Sequence, residues 1–365
     1  MYIKELVLED FRNYLYQELV LSRAVTVLTG GNAQGKTNVL EALYLLATGR
    51  SHRTADDSDL VRTGQEGFRV RTVVEERRLE RNIEAAFSHQ QGRRLSVGGK
   101  QYRKLGGIQS GLNVVLFAPE DLDLIKGPPA NRRRFLDDEI FQASSIYRKV
   151  LGDYNRCLSH RNRLLKEAAG RQLAQSLLDP WNQRLAEAGV AVTRMRGQVI
   201  RALAPVAGRV QERLAAGAET LQLTYCPSGA PDPGDFLRAL EEKAPDEFAR
   251  GVTLVGPHRD ELYIELDGKN IRTHGSQGQQ RCAVLALKTA VMEHLSSTTG
   301  SAPVLLLDDI LSELDASRQR ELLSMLDSGS QTVITSAGEE PVQRISKEST
   351  TVVYRIMGGS ARRVH

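Results

Sequence analysis

The 365-residue chain is poor in aromatic side chains, at 5% with one tryptophan, and it holds three cysteines. Each shortage excludes something. Cys157, Cys226 and Cys282 are odd in number, far apart, and free of any C-x-x-C or Cys/His spacing, so neither a disulfide framework nor a zinc site fits. They read as ordinary buried thiols of a reducing compartment. No stretch approaches the roughly 20 apolar residues that cross a bilayer, and Met1 to Leu8 alternates like a strand instead of placing a basic segment before an apolar one. The expectation is a soluble cytoplasmic protein with no membrane partner. With 49 basic and 45 acidic residues the formal charge is only +4, which permits a nucleic-acid partner without demanding one. No internal repeat or low-complexity tract is present.

What is there is a complete G-x-x-x-x-G-K-[ST] loop, Gly30-Gly31-Asn32-Ala33-Gln34-Gly35-Lys36-Thr37. It follows the alternating apolar run Val25 to Leu28 and leads into Asn38 to Leu46, which reads as a helix, so the motif has the strand-loop-helix setting it needs. Glycines let successive N–H groups point at a β-phosphate, and the following helix turns its positive end to the same anion. Lys36 is expected to reach the β- and γ-phosphates, and the Thr37 hydroxyl to hold Mg²⁺.

Along the chain, Ile3 to Leu8 and Leu19 to Leu28 look like strands flanking the loop Asp10 to Tyr14. A basic turn, Gly49-Arg50-Ser51-His52-Arg53-Thr54, ends the loop's helix, and Phe68 to Val97 alternates like an antiparallel β region. Val114 to Phe117 is a short buried strand closed by Ala118-Pro119-Glu120-Asp121. The character then changes to helix from about Asn131 to Ala215. Apolar residues repeat every three to four positions through Tyr147, Leu151, Tyr154, Leu158 and, after Arg161 interrupts, Leu165, and again from Leu178 to Val206. Asp179-Pro180 reads as a helix cap followed by proline at the first helical position. The two seams, joined through Ala169-Gly170, imply an antiparallel helical hairpin. Arms of roughly 25 residues at about 1.5 Å each would project about 40 Å; the alternative is a compact helical unit with the same seam buried. Cys226 to Gly234 reads as a linker, Phe236 to Lys243 as a short helix, and Val252 to Leu254, Leu262 to Leu266 and Thr351 to Ile356 as strands. The fold class expected is α/β, with the α/β domain split as 1–125 and 246–365 around a helical arm at 126–245.

Val304-Leu305-Leu306-Leu307-Asp308-Asp309 is an apolar strand ending in two carboxylates, the form of a Walker B element. Asp308 would orient Mg²⁺ and its water, and Asp309 would polarise an attacking water. Upstream, Ser276-Gln277-Gly278-Gln279-Gln280-Arg281 opens a helix. Read plainly it is a capping box, Ser276 at the cap and Gln279 at the third helical position. The same geometry offers a hydroxyl and free N–H groups at a positive helix end, where a neighbour's γ-phosphate would fit.

These elements, with Leu311-Ser312-Glu313-Leu314-Asp315, resemble the Walker A, signature, Walker B and D-loop of SMC-class ABC-type ATPases. The strings Phe11-Arg12-Asn13-Tyr14, Gly49 to Thr54, Arg132-Arg133-Arg134-Phe135-Leu136-Asp137 and Gly256-Pro257-His258-Arg259-Asp260 are similar to those of the RecF family of bacterial DNA replication and repair proteins. The resemblance implies an ABC-type P-loop ATPase head whose N- and C-terminal parts fold together, a weak, DNA-stimulated ATPase that takes ATP and Mg²⁺ and forms a homodimer with ATP. It also implies binding to double-stranded DNA and single/double-strand junctions, and action with RecR and RecO in placing recombinase at gaps. By the same resemblance, one head gives Gly30 to Thr37, Asn38, Asp308 and Asp309, with Thr37 and Asp308 on the metal. The other gives Ser276, Gly278 and Gln279; Asp315 would lie at the seam, and Arg12 would touch phosphate. Two departures stand out. The histidine usual after the strand following the D-loop is absent from Gln331 to Ala337, leaving Thr335 or Ser336 for any γ-phosphate contact. Glu120 and Asp121 stand where the Q-loop glutamine is usual.

Lys126, Arg132, Arg133, Arg134, Arg148, Lys149, Arg156, Arg161, Arg163, Lys166 and Arg171 load the start of the helical segment, and Arg50 and Arg53 belong to the nearby head, where the alternative is that Ser51, His52 and Arg53 border the nucleotide. A charge run is commonly a solvated face. The functional expectation is phosphate tracking through Arg50, Arg53, Arg132, Arg133, Arg134, Arg148 and Lys149, with little base reading because aromatics are scarce. His258 and His274 read as structural histidines. A nucleotide-gated protein adaptor with incidental DNA contact is the competing reading. A metabolic phosphotransferase is a third, against which the signature-like element and the helical insertion speak.

Overall fold

The computed structural model describes residues 1–102, 110–167, 177–310, 318–319, 322, 329–337 and 351–364. In chain order these form β1 (Tyr2–Phe11), β2 (Tyr14–Val20), β3 (Val25–Thr29), α1 (Lys36–Thr48), β4 (Gly67–Glu76), β5 (Leu79–Ser88), β6 (Gly92–Val97), β7 (Lys100–Tyr102) and β8 (Val114–Phe117). The helical part follows as α2 (Asp123–Lys126), α3 (Pro129–Ala143), α4 (Ser145–Glu167), α5 (Asp179–Leu214), β9 (Leu221–Cys226), α6 (Pro233–Arg250), β10 (Glu261–Leu266), β11 (Lys269–Asn270), α7 (Ile271–His274) and α8 (Gln277–Thr299). The last strands are β12 (Val304–Leu307), β13 (Thr332–Ser336), β14 (Thr351–Met357) and β15 (Ser360–Arg363). Two compact units result, Met1–Asp121 with Val291–His365, and Leu122–Ala290.

The first unit holds two sheets. One is antiparallel, in the order β2-β1-β4-β5-β6-β7; the other runs β15-β14-β3-β13-β12-β8 and is parallel from β14 to β8. Strands β3, β8, β12 and β13 are buried at every position, as parallel strands covered on both faces are; the alternation expected of Val25 to Leu28 therefore does not correspond to one buried and one exposed face. Helix α1 packs on strands of both sheets, and its leucines 40, 43, 45 and 46 have no exposed surface. Burying each contributes about 2 kcal/mol. The order matters for chemistry: β13 lies between β3, which feeds the phosphate loop, and β12, which ends at the two carboxylates.

The second unit pairs α4 with α5. His160 stacks on Trp181, Arg161 bonds Asn182, and Tyr147 bonds Arg196, so the sequence numbers run in opposite directions and the helices are antiparallel. Helix α6 lies against both, and α5 continues onto β9 of the three-stranded sheet β11-β10-β9. Of the seam residues, Tyr147, Tyr154, Leu165, Leu178, Leu185 and Val192 are buried, Leu151, Leu158, Trp181, Ala188, Met195, Val199 and Val206 are half-buried, and Ala202 is exposed. Arg161 does not interrupt the seam. The side chain is buried in the seam, where Nη2 donates to Glu247 Oε2 at 2.6 Å, Nη1 to the Thr253 hydroxyl at 2.8 Å and Nε to Asn182 Oδ1 at 2.7 Å.

Several expectations shift. The boundary expected at 245/246 falls inside the second unit, because β10 pairs along its length with β9 and Asp260 is buried there. Val252 to Leu254 is not a strand: Glu247 Oε1 accepts from Leu254 N–H and Asn162 Oδ1 from Thr253 N–H, so side chains replace a ladder. Helix α6 runs well past Lys243, carrying Pro245 within it. Asp179 is the first residue of α5 and not its cap. The Ala169-Gly170 joint lies outside the described residues. No helix among the described residues is long and apolar enough to cross a membrane.

Candidate nucleotide site

The loop between β3 and α1 is held from two directions. From the segment after β1, Asn13 Nδ2 donates to the Gln34 carbonyl at 2.9 Å, and the Tyr14 hydroxyl to the Gly35 carbonyl at 3.1 Å. From the β14–β15 turn, the N–H groups of Gly358 and Gly359 donate to Gln34 Oε1 at 2.8 Å and to the Gln34 carbonyl at 3.1 Å. Glycine is required where these neighbours close in. Gly30 has φ +150°, and a Cβ there would meet the Ile356 carbonyl oxygen at 2.4 Å; Gly35 has φ +115°, and a Cβ there would meet Asn13 Nδ2 at 2.7 Å. The cradle is thus preformed by packing.

Lys36 Nζ donates to the Gly30 and Gly31 carbonyls at 2.7 and 2.8 Å, which bends its ammonium over the loop. Burial pulls the Lys36 pKa down, and the charges of Asp309 and Asp308 work against that shift. The Thr37 hydroxyl donates to Asp308 Oδ1 at 3.0 Å. Asp308 is almost wholly buried, and burial raises its pKa although hydrogen bonds from Thr335 and Thr37 oppose the rise. Thr335, delivered by the intervening strand β13, donates to Asp308 Oδ1 at 2.7 Å and accepts from Asp309 N–H at 2.8 Å. The hydroxyl weighed as a γ-phosphate contact therefore organises the Walker B carboxylates. Asp309 takes φ +48°, a left-handed turn immediately after the strand.

These residues fit a nucleoside triphosphate with Mg²⁺. Among the described residues no three His, Cys, Asp or Glu gather to hold a metal alone. Mg²⁺ keeps several waters and takes one or two protein oxygens beside substrate phosphates, which is what Thr37 and Asp308 provide. Bound there, the ion would neutralise phosphate charge.

Arg12 is gripped by α1: Nε donates to Glu41 Oε2 at 2.8 Å and Nη2 to Glu41 Oε1 at 2.7 Å, while Nη1 donates to the Asp59 carbonyl at 2.8 Å. Burial pushes the Glu41 carboxyl up, but hydrogen bonds from Arg12 and Ser51 more than reverse this, so its pKa is lowered. Asn38 Nδ2 donates to Asn13 Oδ1 at 2.9 Å, and Arg53 Nη1 to Asn38 Oδ1 at 3.1 Å, which ties the basic turn to the loop. The roles of Asn13, Tyr14 and Glu41 escape sequence reasoning, although the Phe11-Arg12-Asn13-Tyr14 string was the available signal.

In the second unit, Ser276 forms the capping box with Gln279. Its N–H donates to Gln279 Oε1 at 2.8 Å, and the Gln279 N–H donates to Ser276 Oγ at 3.2 Å. Ser276 is exposed, Gly278 is half-buried, and Gln279 Nε2 also donates to Glu219 at 3.0 Å. Asp315 lies outside the described residues.

The arginines divide. Arg132 is buried, with Nε and Nη2 on Glu261 at 2.8 and 3.1 Å and Nη1 on the Leu124 and Gly127 carbonyls. Arg148 is buried with its guanidinium over the Phe141 ring. Neither can track phosphates as expected, because their charges are spent inside the unit. Arg161 is removed from that surface for the same reason. Arg133 is half-buried and donates to the Asp260 carbonyl at 2.8 Å. Arg53, Arg134 and Lys149 are exposed, and Arg50 is half-buried.

The Arg132 to Asp137 and Gly256 to Asp260 strings interlock. Arg196 donates to both oxygens of Asp137, to the Pro257 carbonyl at 2.7 Å and to Asp260 Oδ2 at 3.2 Å. Tyr147 donates to Asp137 and Tyr225 to Asp260. His258 is structural, its Nδ1 2.5 Å from the Tyr154 hydroxyl and its Nε2 3.1 Å from the Thr253 carbonyl.

Comparison with known proteins gives a consistent result. The family described as RecF/RecN/SMC N terminal domain matches residues 2–358. A protein named DNA replication and repair protein RecF, from Symbiobacterium thermophilum, is 40% identical over 369 residues, covering 99% of this chain and 98% of its own. A solved structure described as the recombination mediator protein RecF with ATP in the RecFOR pathway aligns with TM-score 0.92 at 32% identity, covering 100% of this chain and 98% of that one. The Smc head domain of Pyrococcus furiosus, at 18% identity and TM-score 0.56 over 100% of this chain and 96% of its own, shares the fold.

Proposed function

The chain belongs to the RecF family of SMC-like ABC-type ATPases, and from that premise we propose that it is an ATP-gated double-stranded DNA-binding protein. The observation that carries the reading is the Thr37–Asp308–Thr335 constellation beside a preformed phosphate loop. Lys36 steadies the β- and γ-phosphates, Thr37 and Asp308 hold Mg²⁺, and Asp309 polarises the attacking water. Asp309 carries one methylene less than glutamate, which suits slow turnover. A second copy contributes Ser276, Gly278 and Gln279 at the start of its α8, so hydrolysis requires a homodimer. The capping box supports this reading because Ser276 presents an exposed hydroxyl at the positive end of a 23-residue helix. Arg12 and Asn38 line the same nucleotide. In keeping with relatives named for DNA replication and repair and for the RecFOR pathway, the protein acts in DNA repair and replication; the motif resemblance adds partnership with RecR and RecO, at duplex and single/double-strand junctions, to load recombinase.

DNA contact is assigned to Arg50, Arg53, Arg134 and Lys149, with Arg133 at the margin. Arg53→Ala is expected to weaken duplex binding for every sequence alike and to lower the slope of log K against log salt by about 0.9, one phosphate's worth. Fluorescence anisotropy with a short duplex across a salt series, with ATP and Mg²⁺ present, measures this. An unchanged slope in that variant removes Arg53 from the interface, and a flat slope in the wild type removes DNA contact altogether. The burial of Arg132, Arg148 and Arg161 shrinks the basic surface and keeps the adaptor reading in play. ATPase activity that rises with duplex favours the clamp, and activity indifferent to duplex favours the adaptor.

A further inference from the structure

Helix α1 is apolar on nearly every side, yet it carries one carboxylate, Glu41, with no exposed surface. A buried charge persists only where it is paired and hydrogen-bonded. Glu41 is paired three ways. It takes two hydrogen bonds from Arg12, a third from the Ser51 hydroxyl at 2.5 Å, and lies 3.6 Å from Arg53 Nη1. Ser51 Oγ in turn accepts from the N–H groups of Arg53 and Thr54 at 3.0 and 3.1 Å, which folds the basic turn onto the helix. Arg12 holds φ +56°, a conformation that a residue with a side chain adopts only when its surroundings impose it. The next residue, Asn13, holds the Gln34 carbonyl of the phosphate loop.

One carboxylate thus gathers the segment after β1, the phosphate-loop helix and the turn at 49–54. We propose that Glu41 is a positioning residue for the nucleotide, setting Arg12 beside the phosphate loop. It touches no substrate and acts through Arg12. The proposal rests on the reading of Gly30 to Thr37 as an ATP site.

The test uses the full chain in four forms: wild type, Glu41→Gln, Arg12→Gln and the double variant. Steady-state ATP hydrolysis gives KM and kcat, and a fluorescent ATP analogue gives affinity. Glu41→Gln is expected to raise the KM for ATP roughly tenfold, the size of one charge-assisted hydrogen bond, with kcat within about twofold. The double variant is expected to match Arg12→Gln alone, because the two substitutions break one interaction. A lower thermal midpoint with unchanged KM, or losses that multiply in the double variant, would overturn the proposal. Should Glu41→Gln not fold, the double variant leaves no lone buried charge and carries the same comparison with Arg12→Gln. A wild type that does not bind the analogue overturns the ATP reading itself, whereas a normal wild type with normal Glu41→Gln kinetics overturns only the role of Glu41.

Discussion

Lys36→Arg is expected to slow ATP hydrolysis by about a hundredfold or more, near 3 kcal/mol of transition-state stabilisation, while some nucleotide binding remains. The geometry supplies the reason. The Lys36 ammonium is a compact charge seated on the Gly30 and Gly31 carbonyls, and the residue is almost wholly buried. A planar guanidinium is larger, with donors in a fixed fork, and cannot occupy that seat without displacing the γ-phosphate contact. Single-turnover phosphate release, compared with analogue affinity, separates chemistry from binding. Turnover like the wild type would remove Lys36 from the mechanism.

The second large effect is structural. Arg161→Met is expected to destabilise the second unit by about 3–5 kcal/mol, because it leaves Glu247, which has no exposed surface, as an uncompensated buried charge. Adding Glu247→Leu should recover much of that loss, since replacing both partners removes the stranded charge. Urea unfolding followed by the fluorescence of Trp181, the chain's one tryptophan and a residue of α5, reports on this unit. A loss below about 1 kcal/mol in Arg161→Met would mean that the pair is solvated in solution.

Arg161 also shows where sequence reading stops. The phosphate loop, the Walker B strand and the capping box were legible because their chemistry is local, each spelled out within a few residues of chain. Arg161, Arg132 and Arg148 looked like members of a charged face because nothing nearby announces their burial. The carboxylates that pair Arg161 and Arg132 lie 86 and 129 residues away. Thr335 was noticed for what the strand lacks, a histidine, but its hydroxyl serves the carboxylates of β12 because the sheet order sets β13 beside them. Glu41 was hidden inside an apolar helix, where a lone acid gives no sign of its partners. The boundary near residue 245 was misplaced because strand pairing between β9 and β10, separated by α6, outweighs the change in composition.

The account depends most on the composite site. Light scattering at fixed Mg²⁺ and salt, with a non-hydrolysable ATP analogue or with ADP, measures it directly. The mass is expected to double with the triphosphate and not with ADP, and the Ser276→Arg variant to bind the analogue yet keep the mass of one chain. A mass unchanged by the triphosphate, or a Ser276→Arg variant that doubles like the wild type, would contradict the composite site and leave Ser276 as a helix cap alone.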